Sequence, residues 1–169
     1  PKHVSGRESV LEVGPGYGHF LKALSELFVQ VTALDNSEEM LERCKSRAIE
    51  QQLDNVEFLL GDTQKATGLK PKYDCVCLNM VLHHNPTPAE IIADCAQLLK
   101  INGILIITDL CAHDQEWAKQ SCGDIWLGFE PKALSRWALA AGLSEGNSLY
   151  LTQRNGFRIQ VRQFNLPNR

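Results

Sequence analysis

Three glycines lie close together near the start of the chain, at Gly14, Gly16 and Gly18, within the stretch EVGPGYG. Glycine lets a backbone turn tightly and lets a ligand approach it closely, because it carries no Cβ. Asp35 follows seventeen residues after Gly18, and a carboxylate in that place accepts hydrogen bonds from the two hydroxyls of a ribose. The pattern favours a site for a nucleoside-containing cofactor over the plainer alternative, a tight turn with a surface aspartate.

The spacing of the glycines separates two classes of cofactor. Loops that bind dinucleotides follow the pattern GxGxxG, in which the last glycine packs the helix against the strand. Here the pattern is GxGxG, and His19 stands where the dinucleotide pattern has its last glycine. We therefore expect a cofactor other than NAD.

Four further residues have side chains that can accept a proton or contact a substrate. His83 and His84 follow an apolar run, at the end of a predicted strand where open α/β sheets bind ligands. A histidine there can act as a general base because its pKa lies near neutrality. His113 and Glu116 are three residues apart, so a helix would place them on one face. For each pair, the alternative is a loop or surface residue that takes no part in chemistry.

The hydrophobic pattern predicts the elements that position these residues. Short apolar runs predict strands at Ser9–Val13, 29–34, Val56–Leu60, 73–80, 104–108, 148–152 and 157–163. Apolar residues at helical spacing predict helices over 19–28 and 131–142, and two more that begin with a capping box at Asn36 and Glu39 and with Thr87 and Pro88. Residues 111–130 show the least periodicity, and we expect them to shape the substrate site.

Strands that alternate with helices indicate an α/β fold of the Rossmann-like, doubly wound type. We expect a mostly parallel, seven-stranded sheet that ends in a C-terminal antiparallel hairpin, with its turn at residues 154–156. The length of 169 residues fits a single domain over 1–169. The first predicted strand begins only a few residues from Pro1, which is compatible with the C-terminal part of a longer chain.

Composition and charge limit the classes of partner that this protein is expected to bind. The formal net charge is −3, and no basic stripe is present, which disfavours nucleic acid and acidic membranes as partners. No apolar run approaches the ~20 residues that span a membrane, and the first residues lack the apolar region of a signal peptide. The six cysteines are irregularly spaced, which predicts buried free thiols in a cytoplasmic protein. No cysteine and histidine set has the spacing of a zinc site, so we expect no metal.

Beyond these residues, the stretch VLEVGPGYG resembles the first motif of class I S-adenosylmethionine-dependent methyltransferases. Four more segments agree with that family in order and spacing: ALDNSEEML, GDTQ, YDCVCLNMVLHH and LKINGILIITD. Together they cover residues 9–110. The resemblance implies S-adenosyl-L-methionine as the cofactor. It also implies that Gly14, Gly16 and Gly18 face its methionyl part, that Glu12 supports its amino group and that Asp35 holds its ribose.

The same resemblance implies an adenine site. Asn36 and Met40 border the ring, and Asp62 meets its amino group, with Thr63 beside it. Two residues at the end of the fourth predicted strand lie beneath the cofactor, Asn79 and Val81. Met40 offers a polarizable apolar surface to a flat ring, although at helical spacing it also fits a core position. Taken alone, Asp62 would be a turn aspartate.

A second resemblance covers the segment after the fifth predicted strand. His113-Asp114-Gln115-Glu116, followed by Leu127-Gly128-Phe129, is similar to the methyltransferase domain fused to ArsR-type DNA-binding regulators. The closing stretch NGFRIQVRQF fits the same group. We expect no winged-helix region within residues 1–169.

These observations predict an enzyme that transfers a methyl group in line from S-adenosyl-L-methionine to a small-molecule acceptor, and they leave room for a homodimer. One alternative is a regulatory module that binds the cofactor without turnover. Another is a methyltransferase that acts on a metalloid such as arsenite, which would need two cysteines beside the methyl donor, with Cys111 and Cys122 as the candidates.

Overall fold

Seven strands form one mixed sheet with helices on both of its faces. The computed structural model describes residues 6–69 and 73–168. The strands are β1 (Ser9–Val13), β2 (Gln30–Asp35), β3 (Val56–Leu60), β4 (Tyr73–Asn79), β5 (Leu99–Leu110), β6 (Ser144–Thr152) and β7 (Arg158–Asn165). The helices are α1 (Leu21–Leu27), α2 (Glu38–Glu50), α3 (Thr63–Leu69), α4 (Pro88–Leu98), α5 (Trp117–Ser121) and α6 (Pro131–Ala140), and a 3₁₀ turn covers Leu82–His84.

The strand order is β3-β2-β1-β4-β5-β7-β6. The first five strands are parallel, whereas β7 runs antiparallel to both β5 and β6. The expected doubly wound α/β fold with a closing antiparallel hairpin is confirmed. Chain order reverses between β1 and β4, and open α/β sheets bind ligands at such a point.

The sheet separates two apolar layers. One layer packs α1 and α2 against Val10, Val31 and Ala33, and the second packs α3, α4 and α6 against Leu11, Val76 and Leu78. Neighbouring residues of β1 therefore point into opposite layers, as the alternation of a strand requires. Cys75 and Cys77 share one face, with their sulfurs 3.7 Å apart, and all six cysteines are free thiols, four of them buried.

One helix starts at a different residue than predicted, and another helix was not predicted. The N-cap of α2 is Ser37, whose side chain accepts a hydrogen bond from the Met40 N–H, so the predicted capping box at Asn36 is wrong by one residue. Helix α3 was not expected. It begins after Asp62, whose Oδ1 accepts a hydrogen bond from the Lys65 N–H at 2.8 Å. A short polar side chain three residues before a free N–H is the usual N-terminal cap.

Residues 111–130 have little regular structure beyond α5, in agreement with their weak periodicity. An isolated parallel bridge joins Cys111 to Phe129, and backbone hydrogen bonds join the N–H of Ala112 to the carbonyl of Phe129 and the N–H of His113 to that of Leu127. The two halves of the segment are thus paired. Within the described ranges, none of the helices has the length and apolar character needed to cross a membrane.

Candidate functional site

A cavity of about 1170 Å³ opens where the carboxyl ends of β1, β2, β3 and β4 meet. The residues that line it and were predicted from the sequence are Glu12, Gly14, Gly16, Asp35, Asn36, Met40, Asp62, Thr63, Asn79, Val81 and His84. Ten of these eleven belong to the predicted cofactor set. Positions far apart in the chain therefore border one space.

The glycine loop supplies backbone surface to this cavity. Gly14 has φ +65°, and a Cβ there would lie 2.8 Å from Val81 Cγ2, so a larger residue would displace Val81. Gly16 has φ +56°, and no atom lies within 4 Å of the place that its Cβ would take. Both conformations favour glycine, and the open space at Gly16 lets a ligand touch the backbone.

Gly18 does not line the cavity, contrary to its predicted place beside the cofactor. It has φ +73°, and an added Cβ would stand 3.1 Å from Cys44 Sγ and 3.2 Å from Leu21 Cδ1. The absence of a side chain at Gly18 thus allows the loop to pack against α1 and α2. This is the packing role that the dinucleotide pattern gives to its last glycine.

Glu12 is buried at the base of the cavity, with 1% of its surface exposed. Burial raises its pKa to about 7, and a hydrogen bond with Asn79 offsets part of that rise. Its Oε2 atom is buried and lacks a hydrogen-bond partner within the described residues. A buried carboxylate oxygen without a partner is costly, and the positively charged amino group of a ligand would satisfy it.

Other predicted residues in and after the ends of β2 and β3 have hydrogen-bond partners or positions of their own. Asp35 Oδ1 accepts a hydrogen bond from the Ser37 N–H at 2.9 Å, which leaves its second oxygen for a ligand. Thr63 donates a hydrogen bond to Asp94 of α4 at 2.6 Å, so it joins α3 to α4. Met40 is half-buried and borders the cavity, which places it at the site and not in the core.

Of the predicted histidines, His84 lines the cavity and is exposed, whereas His83 does not line it and is buried. His83 Nδ1 is 2.7 Å from Asp109 Oδ1. Burial lowers the pKa of His83, but the hydrogen bond to Asp109 and the charges of Asp109 and Asp124 outweigh that effect and raise the pKa above its ordinary value. His83 is therefore held by carboxylates and is not open to the cavity.

His113 and Glu116 do not share a helix face, so that expectation is wrong. His113 precedes α5 in irregular structure, and Glu116 is the residue before its first turn. The His113 ring packs edge-on against Phe157 at 4.7 Å, while Glu116 is exposed and pairs with Lys119 at 3.6 Å. Neither residue lines the cavity.

Sequence reasoning missed several lining residues, among them Tyr17, His19, Asn85, Glu90 and Asp94. Glu90 and Asp94 lie four residues apart on α4, a spacing that puts them on one helix face, but nothing in the sequence shows which face borders the site. The described lining residues include five carboxylates and no lysine or arginine. The cavity therefore suits a ligand that carries positive charge.

Comparisons with known proteins agree with this geometry. Residues 5–154 match a family model described as a methyltransferase domain. The ubiquinone biosynthesis O-methyltransferase of Coxiella burnetii is 28% identical over 147 residues, which cover 79% of this chain and 62% of that protein. The chain thus spans 62% of the length of this curated relative.

Solved structures share the fold. A protein from Bacillus halodurans superposes with a TM-score of 0.84 at 16% identity, covering 98% of this chain and 95% of the other. The N-methyltransferase NodS from Bradyrhizobium japonicum, in complex with S-adenosyl-L-homocysteine, superposes with a TM-score of 0.75 at 15% identity, covering 95% and 79%. The family match extends over most of the sequence, and the chain belongs to the methyltransferase domains of the class I, S-adenosylmethionine-dependent type.

Proposed function

We propose that this protein transfers a methyl group from S-adenosyl-L-methionine to a small-molecule acceptor. The observation that carries the proposal is that all the predicted cofactor residues except Gly18 border one cavity, with the unpartnered carboxylate oxygen of Glu12 at its base. The cofactor is a cation with an amino group and a sulfonium, which fits a cavity lined by carboxylates.

Each residue then has a defined task. Glu12 accepts a hydrogen bond from the amino group of the cofactor, the free oxygen of Asp35 accepts from the ribose, and Asp62 and Met40 border the adenine. The cofactor supplies the leaving group, and the protein supplies position and electrostatics. Holding an acceptor in line at contact distance lowers the barrier by up to about 7–11 kcal/mol.

A small acceptor is favoured by the size of the cavity and by the relatives. Pockets for a single drug-sized ligand measure about 300–1,000 Å³, and the 1170 Å³ found here leaves space for the cofactor and an acceptor. The relative from Coxiella burnetii is named an O-methyltransferase of ubiquinone biosynthesis. His84 is the residue of the predicted catalytic set that borders this space, so we assign it the contact with the acceptor.

The alternatives have less support. Arsenite transfer would need thiols at the methyl donor, and among the described residues no cysteine lines the cavity. The kinship with ArsR-fused domains stays a prediction, supported by the backbone pairing of the HDQE and LGF segments. A cytoplasmic location and a homodimer also stay predictions. Free thiols fit the first, and the exposed Leu149 and Leu151 on the edge strand β6 fit the second.

The test of the cofactor site is Asp35→Ala, measured by isothermal titration with S-adenosyl-L-methionine. Loss of the ribose contact should weaken binding by about 1–3 kcal/mol, whereas NAD should give no binding heat with the wild type. Asp54→Ala is the matched control, because Asp54 is exposed and lies outside the cavity. An Asp35 variant that is folded and binds with wild-type affinity would remove the assignment.

Turnover separates an enzyme from a regulatory module. Labelled cofactor, incubated with a pool of phenols, carboxylic acids and amines, should yield labelled product and S-adenosyl-L-homocysteine. Tight cofactor binding without transfer to any acceptor would favour the module.

A further inference from the structure

His83, His84 and Asp124 bring three ligand atoms together beside the cavity, all within 4.8 Å of one another. Asp124 Oδ1 lies 3.7 Å from His83 Nε2 and 3.6 Å from His84 Nδ1. We infer that these three side chains form a binding site for a divalent metal ion such as zinc. The fourth coordination position of the ion would stay open.

The two nitrogen–oxygen distances fit a shared metal ion better than direct hydrogen bonds. A hydrogen bond between nitrogen and oxygen spans about 2.7–3.2 Å, so both pairs are too far apart to form one. Nitrogen and oxygen ligands lie about 2.0–2.1 Å from a tetrahedral zinc ion, which puts two such ligands about 3.3–3.4 Å from each other. The observed separations exceed that value by a few tenths of an ångström.

The orientation of His83 is a second, independent observation. Its Nδ1 is 2.7 Å from Asp109 Oδ1, and buried Asp109 also accepts hydrogen bonds from the N–H groups of Leu82 at 3.0 Å and Leu110 at 2.7 Å. A carboxylate held in this way is an acceptor, so His83 Nδ1 carries a proton and Nε2 faces Asp124. Histidines that bind metals usually donate their second ring N–H to a carboxylate in this arrangement.

The backbone fixes Asp124 in place without help from the ion. The N–H groups of Ile125 and Trp126 donate to the carbonyl of His83 at 2.9 and 3.0 Å, and the Trp126 indole donates to the carbonyl of Asn85 at 2.9 Å. The Asp124 side chain is 5% exposed. A cation stabilises a buried carboxylate, and a metal ion held by the two neighbouring imidazoles is one such cation.

His84 must adopt one tautomer to complete the site. Its Nδ1 lies 3.3 Å from the carbonyl of Gly123, and coordination requires that this nitrogen is unprotonated and that the proton is on Nε2. His84 is exposed enough to rotate onto the ion, with 45% of its side chain accessible. A bound ion would join the turn after β4 to the segment between α5 and α6, and it would make His84 a ligand and not a proton acceptor.

The site escapes detection in the sequence because its ligands are 41 residues apart, from His83 to Asp124. The adjacent histidines would coordinate through different ring nitrogens, and this arrangement differs from the typical spacings of zinc ligands in sequence. The expectation of no metal rested on spacing alone.

The experiment is a titration of the metal-free protein with ZnCl₂, and in parallel with CoCl₂, whose visible absorption reports tetrahedral coordination. All proteins carry Cys122→Ser, because Cys122 is an exposed thiol that would bind zinc itself. We expect one ion per chain, a cobalt spectrum without thiolate charge-transfer bands, and at least a tenfold loss of affinity in Asp124→Asn and in His84→Ala.

Matched controls are Asp114→Asn, an aspartate in the same segment, and His19→Ala, a histidine that also lines the cavity but follows the glycine loop. Both should bind the ions as the wild type does. Binding in the wild type that is absent or only millimolar, or equal affinity in the His84 variant, would overturn the inference. Since His84 is exposed, its variant will fold and give a result even where the Asp124 variant does not. Neither measurement involves methyl transfer, so the outcome is independent of the proposed function.

Discussion

At the scale of single residues, Glu12 is the carboxyl of the candidate site whose pKa departs most clearly from its ordinary value. Its pKa is raised from 4.5 to about 7, chiefly by burial. A group whose pKa is raised on folding stabilises the protein fully below the unfolded pKa, and that contribution is lost as the pH rises through the folded pKa. The ligand-free protein therefore loses stability between pH 4.5 and about 7 because of this carboxyl.

Replacement of Glu12 by Gln should separate stability from binding. At pH 8 the variant should be more stable than the wild type by up to about 3 kcal/mol, since each unit of pKa shift corresponds to about 1.4 kcal/mol. At pH 5 the gain should be much smaller. The same variant should bind S-adenosyl-L-methionine at least about tenfold more weakly, because an amide gives the amino group no negative charge. Thermal unfolding at the two pH values and calorimetry provide the measurements.

The control for Glu12→Gln is Glu26→Gln, at an exposed position of α1. It should change neither the stability at pH 8 nor the affinity. If Glu12→Gln left the free energy of unfolding at pH 8 unchanged, burial of the ionised carboxyl would not destabilise the protein.

Most of the predicted residues that line the cavity could be found from the sequence because they follow strand ends in a fixed order along the chain. Asp35 and Asn79 are examples, each at the last position of its strand. Asp94 and Asp124 were not predictable, because their positions depend on how α4 and the 111–130 segment pack. Gly18 was predicted beside the cofactor, whereas the structure places it outside the cavity lining and close to Cys44 and Leu21.

At the scale of elements, the pairing within residues 111–130 depends on one glycine. Gly128 has φ +72°, and a Cβ there would collide with the carbonyl of Cys111. A shift of the Cys111 backbone would break the bridge between Cys111 and Phe129. Gly156, in the turn of the β6–β7 hairpin, also has a positive φ but has open space around it.

The comparison of Gly128→Ala with Gly156→Ala tests this pairing. Positive φ alone costs an alanine about 1–2 kcal/mol, and only that loss is expected for Gly156. Gly128→Ala should lose clearly more free energy of unfolding in urea, with cofactor affinity retained in the folded fraction, because the residue lies outside the cavity. Equal losses in the two variants would show that the segment accommodates the methyl group.

The strands were predictable because their hydrophobic patterns are strong. Helix α3 was not predicted because its hydrophobic pattern is weak. In Thr63–Leu69 only Thr63 and Ala66 are buried, and Gly68 and Thr67 are poor helix formers. Asp62 as a cap was the available signal. Strand β5 is longer than predicted, since Leu99–Leu110 includes the Asn102-Gly103 stretch that reads as a turn.

At the scale of the whole molecule, the closing hairpin completes the core. Phe164 of β7 is fully buried and belongs to the apolar layer that contains α4 and α6. Arg162 of the same strand lies over its ring, 5.4 Å from the centroid, and pairs with Glu145 of β6 at 2.9 Å. The hairpin is therefore an integral part of the sheet.

Truncation of Phe164 to Ala should cost about 3–5 kcal/mol of unfolding free energy. Leu149→Ala on β6 is the control, since Leu149 is 55% exposed and surface changes stay within about 0.5 kcal/mol. Urea unfolding followed by circular dichroism gives both values. A loss below about 1 kcal/mol for Phe164→Ala would mean that the hairpin is dispensable for the core.

The strand order also constrains how the chain acquires its structure during synthesis. The last strand of the sheet, β7, lies between β5 and β6, so β5 keeps an open hydrogen-bonding edge until residues 158–165 have emerged. The central pair β1 and β4 joins residues about 65 positions apart, such as Val10 and Cys75. Such non-local pairing folds slowly, and open edges invite association between unfinished chains. A ribosome stalled before Arg158 would therefore hold a chain with an unprotected edge, and chaperone contact with nascent chains should end once β7 has left the exit tunnel.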